Sequence, residues 1–519
     1  MIRFFRLLPV FLSACMLSSV ELIAGGDLKS LELTVSPDFK TETIHVVSIH
    51  TYSISTTDSM LRLLLFPEFT VKSATADREI SYTRTKNDIE IRFKPGKDII
   101  NVTIAYSGKP VQAKNAPWDD GFVWRKDVNG NSWLGVTCQE AGAQLWWPAP
   151  ERYADKPDKL KTTCIYPDNL FFKGNGRLAS DVTNGKSRIT TWETTYPINP
   201  YNVTLNIADY ASLSDTLRRD DGSILELNYY PLKYNREKAL SQFRQVKPLL
   251  RCLEKSFGVY PFSADGYSVV ETSYVGMEHQ SAIGYGNGYA NGYNQLDYSG
   301  LNLPFDFILM HETAHEWWGN SVTAQNKADF WFQEAFCTYA EVAYVEYMFG
   351  EAKAIQYVNG KKKLVKNNAP ILSKDDSGID MYAKGALMIH TLSKFAGSKE
   401  EWQQLIKLFA TENKAKNLST VELVNWFCRH LPIKPAFFNQ YLTKSEIPVL
   451  EYSVTKDAGD YRVRYRIKNA IPGFQLPLNW NTGDSNSRND ALGEWKEFRT
   501  KSENVQPDQT FSYFKAVQL

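Results

Sequence analysis

The run His311-Glu312-Thr313-Ala314-His315, with Glu334 lying 19 residues beyond it, constrains this chain more than any other feature. On an α-helix residues four apart share a face, so His311 and His315 can grip one ion together. Rings and carboxylates on one buried face are costly without a partner, and one ion held by both rings supplies it. Glu312 flanks that face, placed to take a proton from a water that the metal polarises. The gap to Glu334 lets one helix end and another return with a third ligand. Three protein ligands beside one open position suit a catalytic zinc, one per chain; a structural zinc would close all four positions. The chain has only 7 histidines in 519 residues, so the run is not a by-product of composition. Phe305, Ile308, Leu309 and Ala314 supply helical spacing, and Gly319-Asn320 are expected to stop the helix after Trp317-Trp318.

The remaining composition narrows the class. With 59 basic and 58 acidic residues evenly mixed, no basic stripe marks a nucleic-acid partner. Arg3 and Arg6 precede an apolar run from Leu7 to Leu17, too short to span a bilayer, which reads as an export signal. Two readings of its cleavage stand. Residues 1–24 form an ordinary signal peptide ending at Ala24, or residues 1–14 form a lipoprotein signal with Cys15 lipid-anchored. Either places the chain outside the cytoplasm: periplasm, cell envelope or medium. No later segment is long and apolar enough to cross a membrane. The five cysteines besides Cys15 are widely spaced, which points to buried thiols rather than a disulfide scaffold.

Residues 25–228 read as an N-terminal β-domain. Ile44 to Ser55, Leu61 to Phe66, Ile89 to Phe93, Ile100 to Tyr106 and Val203 to Ile207 are β-branched and aromatic, with turns at Asn129-Gly130 and Asn184-Gly185. His45 and His50 are expected on the strand surface. Residues 229–445 turn helical, beginning with an amphipathic helix over Leu240, Phe243, Val246, Leu250 and Leu253 that is expected to bend at Pro248. A Gly-Tyr-Asn-rich stretch from Gly284 to Gly300 reads as a long loop beside the cleft. Ser419 is placed to cap a helix at Thr420-Val421-Glu422. Residues 446–519 return to strands at Val449 to Val454 and Tyr461 to Ile467, suggesting a small β-sandwich. The fold class is therefore α+β, in several domains.

Chemically, the residues so far describe metal-assisted hydrolysis of a peptide or ester, with the oxyanion donor still to be found. Four motifs refine this. They are the run His311 to Asn320 with Glu334, then Gly276-Met277-Glu278, then Tyr382-Ala383-Lys384-Gly385, and finally Cys138-Gln139 with Pro148 beyond it. Together they resemble the zinc aminopeptidase family of aminopeptidase N and leukotriene-A hydrolase. The resemblance implies a thermolysin-like catalytic domain over 229–445 and peptide substrates with a free N-terminus. It also implies that His311, His315 and Glu334 hold zinc and that Glu312 is the general base. Tyr382 would be the oxyanion donor. Glu278 would take the substrate's α-ammonium, with Gln139 as a second acceptor. Met277 would line the first side-chain pocket, and Gly276 would hold the peptide through its backbone. An amine-binding carboxylate disfavours acylated substrates, which would leave it buried and unpaired.

Val275, His279 and Ala335 depart from the family's usual residues. The segment after Leu431 is too short for the helical cap many relatives carry, so a more open cleft is expected. Two other activities compete: a zinc-loaded peptide-binding protein without turnover, and a hydrolase with added epoxide hydrolase activity. Retention of Glu312, Glu278 and Tyr382 weighs against pure binding. His279 and His390 are expected to be structural.

Overall fold

A computed structural model describes residues 26–152, 155–297, 299–372, 378–482, 486–491 and 493–519. The expected export signal and Cys15 lie outside the described residues. Alternation of apolar and polar side chains builds the N-terminal β-region. In Thr43–Ser53, residues Ile44, Val46, Ser48, His50 and Tyr52 are buried, and the intervening residues through Ile49 are more exposed. This strand sits between Asp27–Asp38 and Ile99–Gly108 in a seven-stranded sheet. Two four-stranded sheets complete the region; one contains Ser132–Thr137, paired with Gly121–Lys126.

The alternation corrects one expectation. His45 is exposed, but His50 is fully buried, with Nε2 2.9 Å from Ser48 Oγ. Residues five apart on a strand point to opposite faces, so both could not lie on the surface. Val203 to Ile207 is also only partly strand. Asn206–Ala208 pairs, whereas Thr204 N donates to the Asn175 side chain instead of a ladder carbonyl. A further difference lies at the join to the helical region. Leu213–Arg218 and Ile224–Tyr230, assigned from sequence largely to the N-terminal domain, belong to a five-stranded sheet with Tyr267–Glu271, Ile283–Tyr285 and the edge strand Gly276–Met277. Strand patterning identifies a strand without identifying its sheet, and the pairing Leu227 to Tyr267 is long-range.

Nine helices occur among the described residues: α1 Arg236–Gln242, α2 Val246–Phe257, α3 Phe307–Ala314, α4 Trp331–Phe349, α5 Glu351–Lys362, α6 Ala383–Leu392, α7 Lys399–Glu412, α8 Thr420–His430 and α9 Ala436–Leu442. The break between α1 and α2 falls at Phe243–Gln245, just ahead of Pro248. Pro248 sits in the first turn of α2, where its missing N–H costs nothing, and its ring crowds the carbonyl four residues back at Arg244. Ser419 and Glu422 cap α8 reciprocally, as the sequence indicated.

Val449–Asp457 and Asp460–Ile467 form a hairpin in a four-stranded sheet, which with a three-stranded sheet makes the C-terminal β-region. Its core is continuous with the helical one. Tyr441 OH donates to Tyr513 O at 2.6 Å, and Lys384 Nζ donates to Lys444 O and Ser445 O at 2.7 and 2.9 Å. His390 Nε2 donates to Thr510 O at 3.0 Å, a structural contact as expected. Cys138, Cys164, Cys252, Cys337 and Cys428 are free thiols.

Helices α4 and α6 cross closely because Gly385 faces Ala335, and a Cβ on Gly385 would lie 2.8 Å from Ala335 Cβ. Gly385→Val should therefore push α6 off α4 and destabilise the protein by about 1–3 kcal/mol. A thermal unfolding midpoint equal to that of the wild type would contradict this close crossing.

Candidate metal and catalytic centre

Helix α3 begins at Asp306, whose side chain accepts from Leu309 N at 3.1 Å. It ends at Ala314, earlier than the sequence pattern suggested. The chain then turns tightly: Gly319 adopts φ +127, and Gly319 N donates to Val322 O at 2.8 Å. The turn serves the site, because it brings Trp318 O within 2.9 Å of His315 Nδ1. A carbonyl only accepts, so Nδ1 carries the proton and His315 Nε2 presents a lone pair. On His311, Nδ1 faces Glu341 Oε1 at 3.4 Å, and Nε2 faces Glu334 Oε2 at 3.2 Å.

The two Nε2 atoms converge with a carboxylate oxygen. His311 Nε2 and His315 Nε2 are 3.3 Å apart, and Glu334 Oε2 lies 3.2 and 3.5 Å from them. Four ligands at zinc's bond lengths of about 2.0–2.1 Å are separated by about 3.3–3.4 Å along each tetrahedral edge. The three donors thus fit zinc in number, chemistry and spacing. Charge agrees. Burial alone would lower His311, but the Glu334 and Glu341 carboxylates outweigh it and raise the imidazole to about 9. Burial would raise Glu334, yet His315 and His311 outweigh it and hold the carboxyl at about 2. The cluster attracts positive charge.

Two donor groups occur among the described residues: His311, His315 and Glu334, and Glu278, Glu312 and His315, each with its atoms within 4.8 Å of one another. Only the first uses both oriented imidazoles. The second places Glu312 and Glu278 against the site. Burial is the largest influence on Glu312, raising its carboxyl to about 7. Gly276 leaves room for it, since a Cβ there would lie 2.6 Å from Glu312 Oε1. Glu278 Oε1 accepts from Gln139 Nε2 and, at 3.4 Å, from Tyr201 OH. Met277 is buried in the edge strand. Tyr382, at the start of α6, has its ring 6.1 Å from that of His311. Burial, reinforced by Glu334, Glu278 and Glu312, raises its phenol well above the ordinary value, so it stays a donor. Eight of the nine residues singled out from sequence therefore converge on one centre, and Met277, between Gly276 and Glu278, packs into the core of the N-terminal β-region.

Residues 242–434 match the model of the peptidase family M1 domain. Aminopeptidase N of Haemophilus influenzae is 21% identical over 395 residues, covering 69% of this chain and 45% of that protein. Aminopeptidase B of Rattus norvegicus is 22% identical over 143 residues, 24% of this chain and 22% of that protein. The crystal structure of a mutant M1 zinc metallopeptidase from Deinococcus radiodurans, bound to a Tyr-Ser-Ala substrate, superposes with a TM-score of 0.69 at 16% identity, covering 82% of this chain and 95% of that one. Residues 242–434 thus form a peptidase family M1 domain. The chain spans less than half the length of the curated relatives named.

Sequence reasoning passed over the supports of this centre. Glu341 is seven residues from Glu334 on α4, so both share a face, a spacing that offered a signal. Glu316 and Asn320 were read only as part of a motif. Glu316 accepts from Tyr260 OH at 2.8 Å and Ser281 N at 3.0 Å. Asn320 Nδ2 donates to Glu278 O at 2.8 Å, and Asn202 Nδ2 donates to Asn320 Oδ1 at 2.7 Å. The N-terminal β-region thus helps fix Glu278. The two donor groups make different predictions. Glu334→Ala should reduce zinc from one per chain to a small fraction, while Glu278→Ala keeps it, as read by elemental analysis of purified protein. The reverse pattern would move the metal to the second group.

Proposed function

We propose that this chain is a zinc-dependent aminopeptidase that hydrolyses the N-terminal peptide bond of peptides. One observation carries the exopeptidase reading: Glu278 lies within 4.8 Å of both Glu312 and His315. An α-ammonium paired with Glu278 sits about 2.5 Å from the carbonyl carbon of its own residue, by standard backbone lengths and angles. Only one residue then fits between the amine and the bond at the metal. An internal segment would place an uncharged amide against Glu278 and leave a buried carboxylate without its partner.

His311, His315 and Glu334 would hold zinc, which would supply Lewis acidity to the scissile carbonyl and to the attacking water. Glu312 accepts the proton of the attacking water and returns it to the leaving amine. A carboxyl lifted to about 7 is suited to both tasks. Tyr382 donates to the developing oxyanion, a contact worth about 3–4 kcal/mol in comparable sites. Gln139 donates its side-chain N–H to Glu278 and is the second acceptor for the ammonium. Met277 lines the first side-chain pocket, and the backbone at Gly276, on the edge strand of its sheet, pairs with the peptide. The Tyr-Ser-Ala substrate bound to the Deinococcus radiodurans enzyme is consistent with short peptide substrates. Arg3, Arg6 and the apolar run after them support export, with a signal peptide or a lipid anchor at Cys15.

Aminoacyl-nitroanilide should be hydrolysed, the activity should be lost to a chelator and restored by zinc, and the N-acetylated substrate should not be cleaved. Equal cleavage of both substrates would remove the role given to Glu278. Glu312→Gln should keep its zinc yet lose at least about two orders of magnitude in kcat. Near wild-type turnover in that variant would rule out Glu312 as the base.

A further inference from the structure

His311 is supported on two sides, and one residue outside the ligand set touches both supports. Lys361 lies in the last turn of α5 and is 6% exposed. Its ammonium is paired with Glu341 Oε2, the oxygen opposite the one that faces His311 Nδ1. Tyr357, one helical turn earlier on α5, donates its hydroxyl to the same Oε2 at 2.7 Å. Two donors on Oε2 fix the carboxylate's rotation and aim Oε1 at the imidazole.

The second support is aromatic. Phe307 stacks on His311 with ring centres 5.7 Å apart and planes within 10°. Lys361 Nζ lies 5.2 Å from the Phe307 ring centre and 5.1 Å from that of Tyr357. A cation over an aromatic face is attracted by the ring's negative centre, so Lys361 also holds the ring that packs on the ligand. Gly360 allows this end of α5 to approach the neighbouring loop, since a Cβ there would meet Ser299 O at 2.7 Å.

We propose that Lys361 is a positioning residue of the metal centre: through Glu341 and Phe307 it fixes the orientation in which His311 offers Nε2 to zinc. Partners one step behind metal ligands set ligand orientation, and their loss characteristically weakens metal binding. Lys361 acts one step further out, and its effect must pass mainly through Glu341. The inference rests on His311, His315 and Glu334 as the zinc ligands.

The test is zinc affinity of the whole chain, measured by competition with a chromogenic chelator. The proteins are wild type, Lys361→Met, Lys361→Gln, Glu341→Gln and the double variant Lys361→Met/Glu341→Gln. Lys361→Met and Glu341→Gln should each weaken zinc binding by about tenfold to a hundredfold. Lys361→Gln, which keeps a donor but not the charge, should show a smaller loss and carries the test if the Met variant does not fold. Adding Lys361→Met to Glu341→Gln should change affinity by less than about threefold, because the main path is already cut. Wild-type affinity in Lys361→Met or Lys361→Gln, or a fully additive loss in the double variant, overturns the proposal. A wild-type chain that takes up no stoichiometric zinc would sink the ligand assignment instead.

Discussion

Two imidazole nitrogens and one carboxylate oxygen face one another in a buried space. Each imidazole's other nitrogen is committed, to Trp318 O for His315 and to Glu341 for His311. Burying these polar groups is costly, and a cation held between them offsets that cost. Much of the local architecture follows from holding these groups still. Helix α3 stops at Ala314 so that the turn can reach His315, Gly385 brings α6 and Tyr382 against α4, and α5 returns with Tyr357 and Lys361 behind Glu341.

A second set of buried polar contacts works on the other side of the cleft. Glu278 takes hydrogen bonds from Gln139 and Tyr201 at its side chain and from Asn320 at its backbone. Asn320 is in turn held by Asn202, and Asn199 Nδ2 donates to Gly319 O at 2.8 Å. The N-terminal β-region therefore helps fix Glu278 relative to His311, His315 and Glu334, the separation on which the proposed one-residue cleavage rests. This accounts for a large β-region in front of the metal-bearing helices: it completes the site rather than decorating it.

The sequence revealed the site more fully than the fold. His311, Glu312, His315 and Glu334 are legible because metal chemistry ties residue type to helical spacing. Gln139, Glu278 and Tyr382 were reached only through resemblance, since nothing local marks a glutamine or a tyrosine as facing a metal far along the chain. The strand pattern was legible too, but not its partners. Leu213–Arg218 and Ile224–Tyr230 joined a different sheet from the one their position in the chain implied, and His50 was buried by strand parity that charge and polarity alone conceal.

What the sequence determined by itself was local and periodic: a helix carrying two rings on one face, a second helix returning a carboxylate, alternating strands before and after, and the cap on α8. Each depends on neighbours within a few residues. Tertiary structure alone decided which nitrogen of each histidine is free, which carboxylate lies within reach of the metal group, and that Lys361 stands behind Glu341. Those facts join residues far apart in the chain, and the geometry that fixes them exists only once the sheets and helices have packed.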